Sequence, residues 1–437
     1  MELILGAGLA GLSAARILTA SGRPYRILER EAEIGGLCRS IRRDGFVFDL
    51  TGHLLHLRTD RVREALDPLI REQCAPIDRK SFVYSKGVFT DFPFQANTHG
   101  LPPEVIRDCL LGFLAVHGKA PGKDADLSFR QWILKVFGSG IAEHFMIPFN
   151  EKLWCADLET LSSEWVSWSI PQPTLEEVVN GAVGIPNRRL GYNSRFFYPR
   201  NAGIDHLPKF LARPLDQISL DTTVTGVDLD RRVVTTGDGS RFEYRNLINT
   251  LPLGKFLEMS RGLPEEFREV RKGFRSVQVI NLNLGIERES IFSGHWIYFP
   301  EKQIPFYRVG FPGNFTDRAV PRGCSSLYIE FSRPSAAGFD RQEMLDTARR
   351  ALEAAGILRS DDRICLVEWA QIDPAYVLHD PFRRERLPRI FRFLERQGVL
   401  SAGRFGTWGY GSMEDAIREG TEASEKICAP VAAGVRA

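Results

Sequence analysis

The chain has 437 residues, 43% of them hydrophobic and 26% charged, with a net charge of +2. That is a globular composition with room for two or three cored domains, and it excludes a disordered or collagen-like chain. A charge so near zero gives no bulk electrostatic case for nucleic acid or a membrane surface, so basic residues that matter must be clustered.

Leu3, Ile4 and Leu5 form a short apolar run that reads as a buried strand, so no signal peptide is expected ahead of it. The run feeds Gly6-x-Gly8-x-x-Gly11, then a small-residue helix containing Leu12, Ser13, Ala14 and Ala15. Gly6 suits the tight turn, Gly8 the approach to a pyrophosphate and Gly11 close helix–strand packing, while the helix N-terminus offers free N–H groups to phosphate. A second strand, Tyr25 to Leu28, ends at Glu29, where a carboxylate can bind an adenosine ribose. Strand, turn, helix and strand with an acidic end together predict a dinucleotide. The paired glycines of Glu31-Ala32-Glu33-Ile34-Gly35-Gly36-Leu37 let the chain run against a bulky flat cofactor. They resemble the second glycine pair of the large flavoprotein superfamily of amine oxidases, protoporphyrinogen oxidases and UDP-galactopyranose mutases, which implies FAD.

Gly45 to Leu50 reads as a strand leading into Thr51-Gly52-His53. An amphipathic helix near residues 60–72 and a hairpin from Ser81 to Phe89, turning at Lys86-Gly87, come next. From residue 102 to about 180 apolar residues recur at helical spacing, opened by Pro102-Pro103-Glu104. The longest apolar run, near Leu110 to Val116, is too short to span a bilayer. Residues 220–250 return to strands and are predicted to complete the dinucleotide sheet from a distance in sequence. Residues 276–334 alternate in β fashion and suggest a mostly antiparallel sheet. Ser412-x-x-Asp415 is a capping-box pattern, so the last helix should start at Ser412 and aim its positive end at a flavin. Seven scattered cysteines without a C-x-x-C pair argue against a disulfide framework or a metal site and for a reducing, cytoplasmic setting.

The predicted architecture is α/β. It has a Rossmann-like FAD-binding part (1–90 with 196–260 and 385–437), a helical insert (100–190) and an antiparallel-sheet substrate part (261–384). Three groups of residues could carry chemistry. Gln95, after Phe92-Pro93-Phe94, pairs a donor with an acceptor and matches a uracil edge. Trp296 and Tyr298 share a strand face, with Arg308 one strand later among apolar neighbours, where a guanidinium needs an anionic partner or an internal salt bridge. Tyr376, Arg404 and Tyr410 add a second arginine and two hydroxyls, so that two arginines could grip a diphosphate.

These stretches, with Gly52-His53, Asn150-Glu151-Lys152-Leu153-Trp154 and Gly403-Arg404-Phe405-Gly406-x-Trp408-x-Tyr410, are similar to the eukaryotic-type branch of UDP-galactopyranose mutases over nearly the whole chain. The resemblance implies that Arg308, Tyr376, Arg404 and Tyr410 hold a pyrophosphate. It implies that Gln95, Trp296 and Tyr298 meet the nucleoside, on whose base Phe92 could stack, and that His53 lies beside the flavin. The flavin contacts nominated are Gly6, Gly8, Gly11, Leu12, Glu29, Arg30, Gly35, Gly36, Leu37, Val224, Gly403, Arg404, Gly411, Ser412 and Met413, with His53, Arg308 and Arg404 as the catalytic candidates. The implied activity is pyranose–furanose interconversion of a UDP- or TDP-sugar, with reduced flavin N5 as nucleophile and NAD(P)H as reductant. Gly409 departs from that branch, which carries a basic residue there, and Ser412-Met413-Glu414 looks more like the wider oxidase superfamily. A flavin oxidase or desaturase is therefore the alternative.

Overall fold

The computed structural model describes residues 1–118, 127–166, 170–187, 194–270 and 273–429. Its first sheet is parallel and five-stranded, in the order Val399–Ser401, Asn246–Asn249, Glu2–Leu5, Tyr25–Leu28, Ile218–Ser219. The apolar run at the N-terminus is central because both its faces are covered: Leu3, Ile4 and Leu5 are all fully buried. Helix Leu9–Ala20 follows directly, and Gly11 is what lets it sit there, since a Cβ at this position would lie 2.0 Å from the Gly6 carbonyl oxygen. The C-terminal helix Met413–Cys428 packs on the same helix, with Ser424 Oγ donating to the Ala14 carbonyl at 2.9 Å.

The second large sheet has seven strands, in the order Ile364–Val377, Ser276–Ile286, Ser325–Pro334, Arg308–Gly310, Trp296–Tyr298, Ser81–Ser85, Val88–Asp91. It is antiparallel except where Trp296–Tyr298 runs parallel to Ser81–Ser85. The Ser81 hairpin, predicted within the FAD-binding part, is thus an edge of the other sheet. Strand alternation divides the sheet into two faces. Ile280, Leu282, Leu284, Ile297, Val309, Leu327 and Ile329 point one way, into a core shared with Met344, Ala348 and Leu352 of helix Arg341–Ala354. The residues between them form the polar face on which the candidate site is built.

The strands of 220–250 also depart from expectation, because only Asn246–Asn249 joins the dinucleotide sheet. Val224–Asp228, Val233–Thr236 and Arg241–Glu243 form a separate four-stranded sheet with Ser260–Arg261. Val224, nominated as a flavin contact, lies on this separate sheet. The helical stretch contains Pro103–Val116, Phe129–Ile141, Ile147–Trp154 and Leu175–Val183 around Phe113, Phe129, Trp132, Phe137 and Trp154. The predicted end of the insert at 190, and residues 430–437, lie outside the described residues.

Candidate functional site

The cofactor end is made of backbone. Gly8 is the N-cap of helix Leu9–Ala20, with no side-chain cap and no acidic residue in the first turn, so the leading N–H groups are left for a ligand. The second glycine pair lies against the first. Gly35 N donates to the Ala7 carbonyl at 2.9 Å, and a Cβ on Gly36 would come within 3.2 Å of Gly8 Cα. Such a shallow, side-chain-free cradle at an uncapped helix end fits the pyrophosphate of a dinucleotide. Glu29 has a structural task as well as the predicted ribose contact: its oxygens accept from Ala7 N at 2.7 Å and Glu31 N at 3.0 Å. Each carboxylate oxygen has a second lone pair, so hydroxyls can still be received. Arg30, by contrast, points outward with its side chain 71% exposed and pairs with Glu31.

The C-terminal segment reaches the same cradle, because Gly403 packs on the first turn of helix Leu9–Ala20. A Cβ on Gly403 would lie 2.8 Å from Ala10 Cβ. Ser412 caps the last helix with the predicted capping box to Asp415. The helix end is less available than the sequence suggests, since its first turn carries Glu414 and Asp415. Buried Glu414 accepts from Arg58 N, Thr59 N and Thr59 Oγ1. The first-turn carboxylates therefore anchor the chain near residue 58 and offset the positive end of this helix.

Register builds the polar face of the seven-stranded sheet. Tyr298, Arg308, Glu330, Asn281 and Ala370 stand side by side across it, and Trp296, Gly310, Tyr328, Asn283 and Glu368 form the adjoining row. Arg308 gives both arms of its fork to Glu330: Nε to Oε2 and Nη2 to Oε1, each at 2.7 Å. Glu330 is fully buried. Burial works against the Arg308 charge, but Glu330 and the surrounding tyrosines 328, 376 and 307 raise its pKa well above the usual value. Glu330 also accepts from Gly52 N at 3.3 Å, and Asn281 Nδ2 donates to the Leu50 carbonyl at 3.0 Å. The His53 segment is therefore tied down on this face.

Arg404 is held differently. Its guanidinium carbon lies 4.8 Å from the Tyr376 ring centre and 5.2 Å from that of Tyr410, and the two rings stack at 6.2 Å. Its Nη1 donates to the Gly411 carbonyl at 3.2 Å, and its Nε is buried without a partner among the described residues. No ion pair to Arg404 occurs among the described residues. Tyr376 bears on both arginines, being among the groups that raise the Arg308 pKa. His53 feels both as well. Its pKa is pushed down to about 4, mainly by burial and further by Arg404 and Arg308, against the Thr51 carbonyl and Glu330. With Nδ1 3.2 Å from the Thr51 carbonyl, the neutral ring donates there and Nε2 is left as an acceptor.

The nucleoside candidates separate. Phe92 and Tyr298 pack together at 4.8 Å. Gln95 is buried, with Nε2 donating to the Pro171 carbonyl at 2.6 Å and Oε1 without a partner among the described residues. Trp296 does not offer a stacking face: it is 2% exposed and enclosed with Phe196, Tyr198, Phe315 and Tyr328. It does share a strand face with Tyr298, as alternation requires, but strand Arg195–Pro199 contributes the aromatics that cover its end of the row. Leu37 reaches toward the sheet, packing against the cluster of Val279, Ile372 and Ala375 on which Tyr376 also packs. Sequence reasoning misses Glu330, Tyr328 and Asn281. The signal is present, because the alternation of Leu327-Tyr328-Ile329-Glu330-Phe331 puts a tyrosine and a carboxylate together on the face opposite the core.

Comparison with known proteins adds four findings. The family model of flavin containing amine oxidoreductases matches residues 9–428. A crystal structure of reduced UDP-galactopyranose mutase superposes with a TM-score of 0.92 at 26% identity, covering 98% of this chain and 95% of that one. A putrescine oxidase variant redesigned in its cofactor binding superposes with a TM-score of 0.68 at 15% identity over 98% of both chains, a likeness of fold. Among curated sequences, protoporphyrinogen oxidase 2 of Arabidopsis thaliana is 24% identical over 257 residues, 51% of this chain. The match covers 49% of that relative, so the chain spans about half its length.

Proposed function

Because this chain belongs to the flavin containing amine oxidoreductase family, we propose that it is a flavin-dependent mutase interconverting the pyranose and furanose forms of a UDP- or TDP-sugar. The observation that carries the reading is the meeting of Arg308, Arg404, Tyr376 and His53 on one site, supported by the close likeness to a UDP-galactopyranose mutase. The Gly8 and Gly35–Gly36 cradle would hold FAD, which once reduced by NAD(P)H would supply the nucleophile for the anomeric carbon.

The chain's own residues have the remaining work. Arg404, with no carboxylate partner among the described residues, meets the diphosphate and stabilises the charge it gains as the sugar–oxygen bond breaks. Arg308 does the same with a charge partly balanced by Glu330, so its larger contribution is a fixed fork in a rigid sheet. The Tyr376 and Tyr410 hydroxyls add donors to the same phosphates. His53 Nε2, neutral at physiological pH, is an acceptor for a sugar hydroxyl beside the flavin. Phe92, Tyr298 and the free Oε1 of Gln95 form the base pocket.

The test is turnover of a UDP-sugar by protein reduced with dithionite or NAD(P)H. Ring isomerisation with no net electron transfer is expected. The likeness to protoporphyrinogen oxidase 2 favours an oxidase or desaturase as the second reading. In that case the oxidised flavin is bleached by its substrate, peroxide forms in air, and UDP does not bind.

A further inference from the structure

Resting on that reading of the site, we propose that Arg383, paired with Glu164, is a positioning residue: it holds the turn that brings Tyr410 back against Arg404. Arg383 lies in the first turn of helix Pro381–Arg396, outside every group assigned so far. Its Nε donates to the Trp408 carbonyl at 2.6 Å, and its Nη1 donates to Glu164 Oε1 at 3.2 Å. The turn it holds is unusual. Trp408 has φ of +49°, the left-handed region that bulky side chains seldom occupy unless their surroundings enforce it. The same turn is closed by Gly409 N donating to the Arg404 carbonyl at 2.9 Å, so the Trp408 conformation sets the spacing between Arg404 and Tyr410.

Glu164 and its neighbour grip the turn at two points. Trp165 packs on the Tyr410 ring at 5.3 Å and on Trp154 at 4.8 Å, while Glu164 reaches the backbone through Arg383. The Arg383 side chain is 14% exposed, and burial lowers its pKa against the opposing pull of Glu164 and Asp380, so the guanidinium depends on its partners. The planar fork reaches the carbonyl through Nε and the carboxylate through Nη1 in a fixed geometry, which the compact ammonium of a lysine reproduces only in part. Arg383 therefore acts on the diphosphate through Trp408, Tyr410 and Arg404.

The experiment compares flavin-loaded wild type, Arg383→Ala and Arg383→Lys by titration with UDP and with uridine, and by hydrogen exchange over residues 404–411. In Arg383→Ala, UDP affinity should fall at least tenfold while uridine affinity and flavin content are retained, and Arg383→Lys should recover part of the loss. Unchanged UDP affinity in Arg383→Ala overturns the proposal. So does a parallel loss of uridine, UDP and flavin, which marks a general structural role. If wild type binds UDP no better than uridine, the diphosphate reading itself fails. Hydrogen exchange then decides the positioning role alone: faster exchange in Arg383→Ala confined to 404–411 upholds it, and no change overturns it.

Discussion

Arg308 and Arg404 carry the same charge in opposite kinds of surroundings. Arg308 sits in the middle of a sheet, its fork closed on a fully buried Glu330. Arg404 sits on a four-residue helical turn beside the cofactor cradle, between two tyrosine rings, with its Nε buried and unpartnered. A buried pair is costly to break because the survivor is left charged in a poor solvent, whereas an unpaired cation gives up little of the fold when removed. Rigidity and available charge are thus divided between the two arginines, and among the described residues only the second has no carboxylate partner.

Substitutions can break this contrast. The most severe touches the backbone cradle against which the Gly403–Arg404 turn packs. Gly11→Val would thrust atoms onto the Gly6 carbonyl, only 2.0 Å from where a Cβ begins, and should yield protein without the absorbance of an oxidised flavin. Arg308→Ala should retain flavin but lose about 3–5 kcal/mol of stability in urea titrations. Replacing Glu330 as well, by Met at both positions, should return most of that stability without restoring UDP affinity. An equal loss in the double variant would show that the pair is not what stabilises the sheet.

An acid titration probes the rim of the same face. His295 Nδ1 accepts from Lys80 N at 2.9 Å, and burial, helped by Lys80, holds its pKa down to about 4 against a bond to the Asn314 backbone. A depressed folded-state pKa gives stability that is complete above about 6.5 and is lost as pH falls toward 4, worth at most about 3 kcal/mol for one buried group. Melting temperature should therefore drop across that window, and His295→Gln should flatten the slope. Arg404→Ala should have the smallest effect on the fold, leaving the melting temperature within a few degrees while UDP affinity falls at least tenfold. A large loss of stability in Arg404→Ala would erase the contrast with Arg308.

Much of this architecture is legible in the residues alone. The glycine turn, the helix at residue 60, the Lys86-Gly87 hairpin and the Ser412 capping box depend on neighbours a few residues apart, so local chemistry specifies them. Strand Ile364–Val377 escapes such a reading because Asp373-Pro374 interrupts its pattern; at the sheet edge, where it stands, a proline is tolerated. The strands of 220–250 are recognisable as strands but not assignable to their sheet, since alternation records which face is buried and not which partner buries it. The same limit applies to Trp296, whose enclosure by Phe196 comes from a strand a hundred residues away.

By itself, the sequence determined the glycine turn and the bare helix end that follows it, because both are built from consecutive backbone. It also named the two arginines. Only the tertiary structure decided that one of them would be closed on Glu330 and the other left open between tyrosines. Those partners come from different strands and turns, and a side chain's electrostatic surroundings exist only once distant segments have been packed around it.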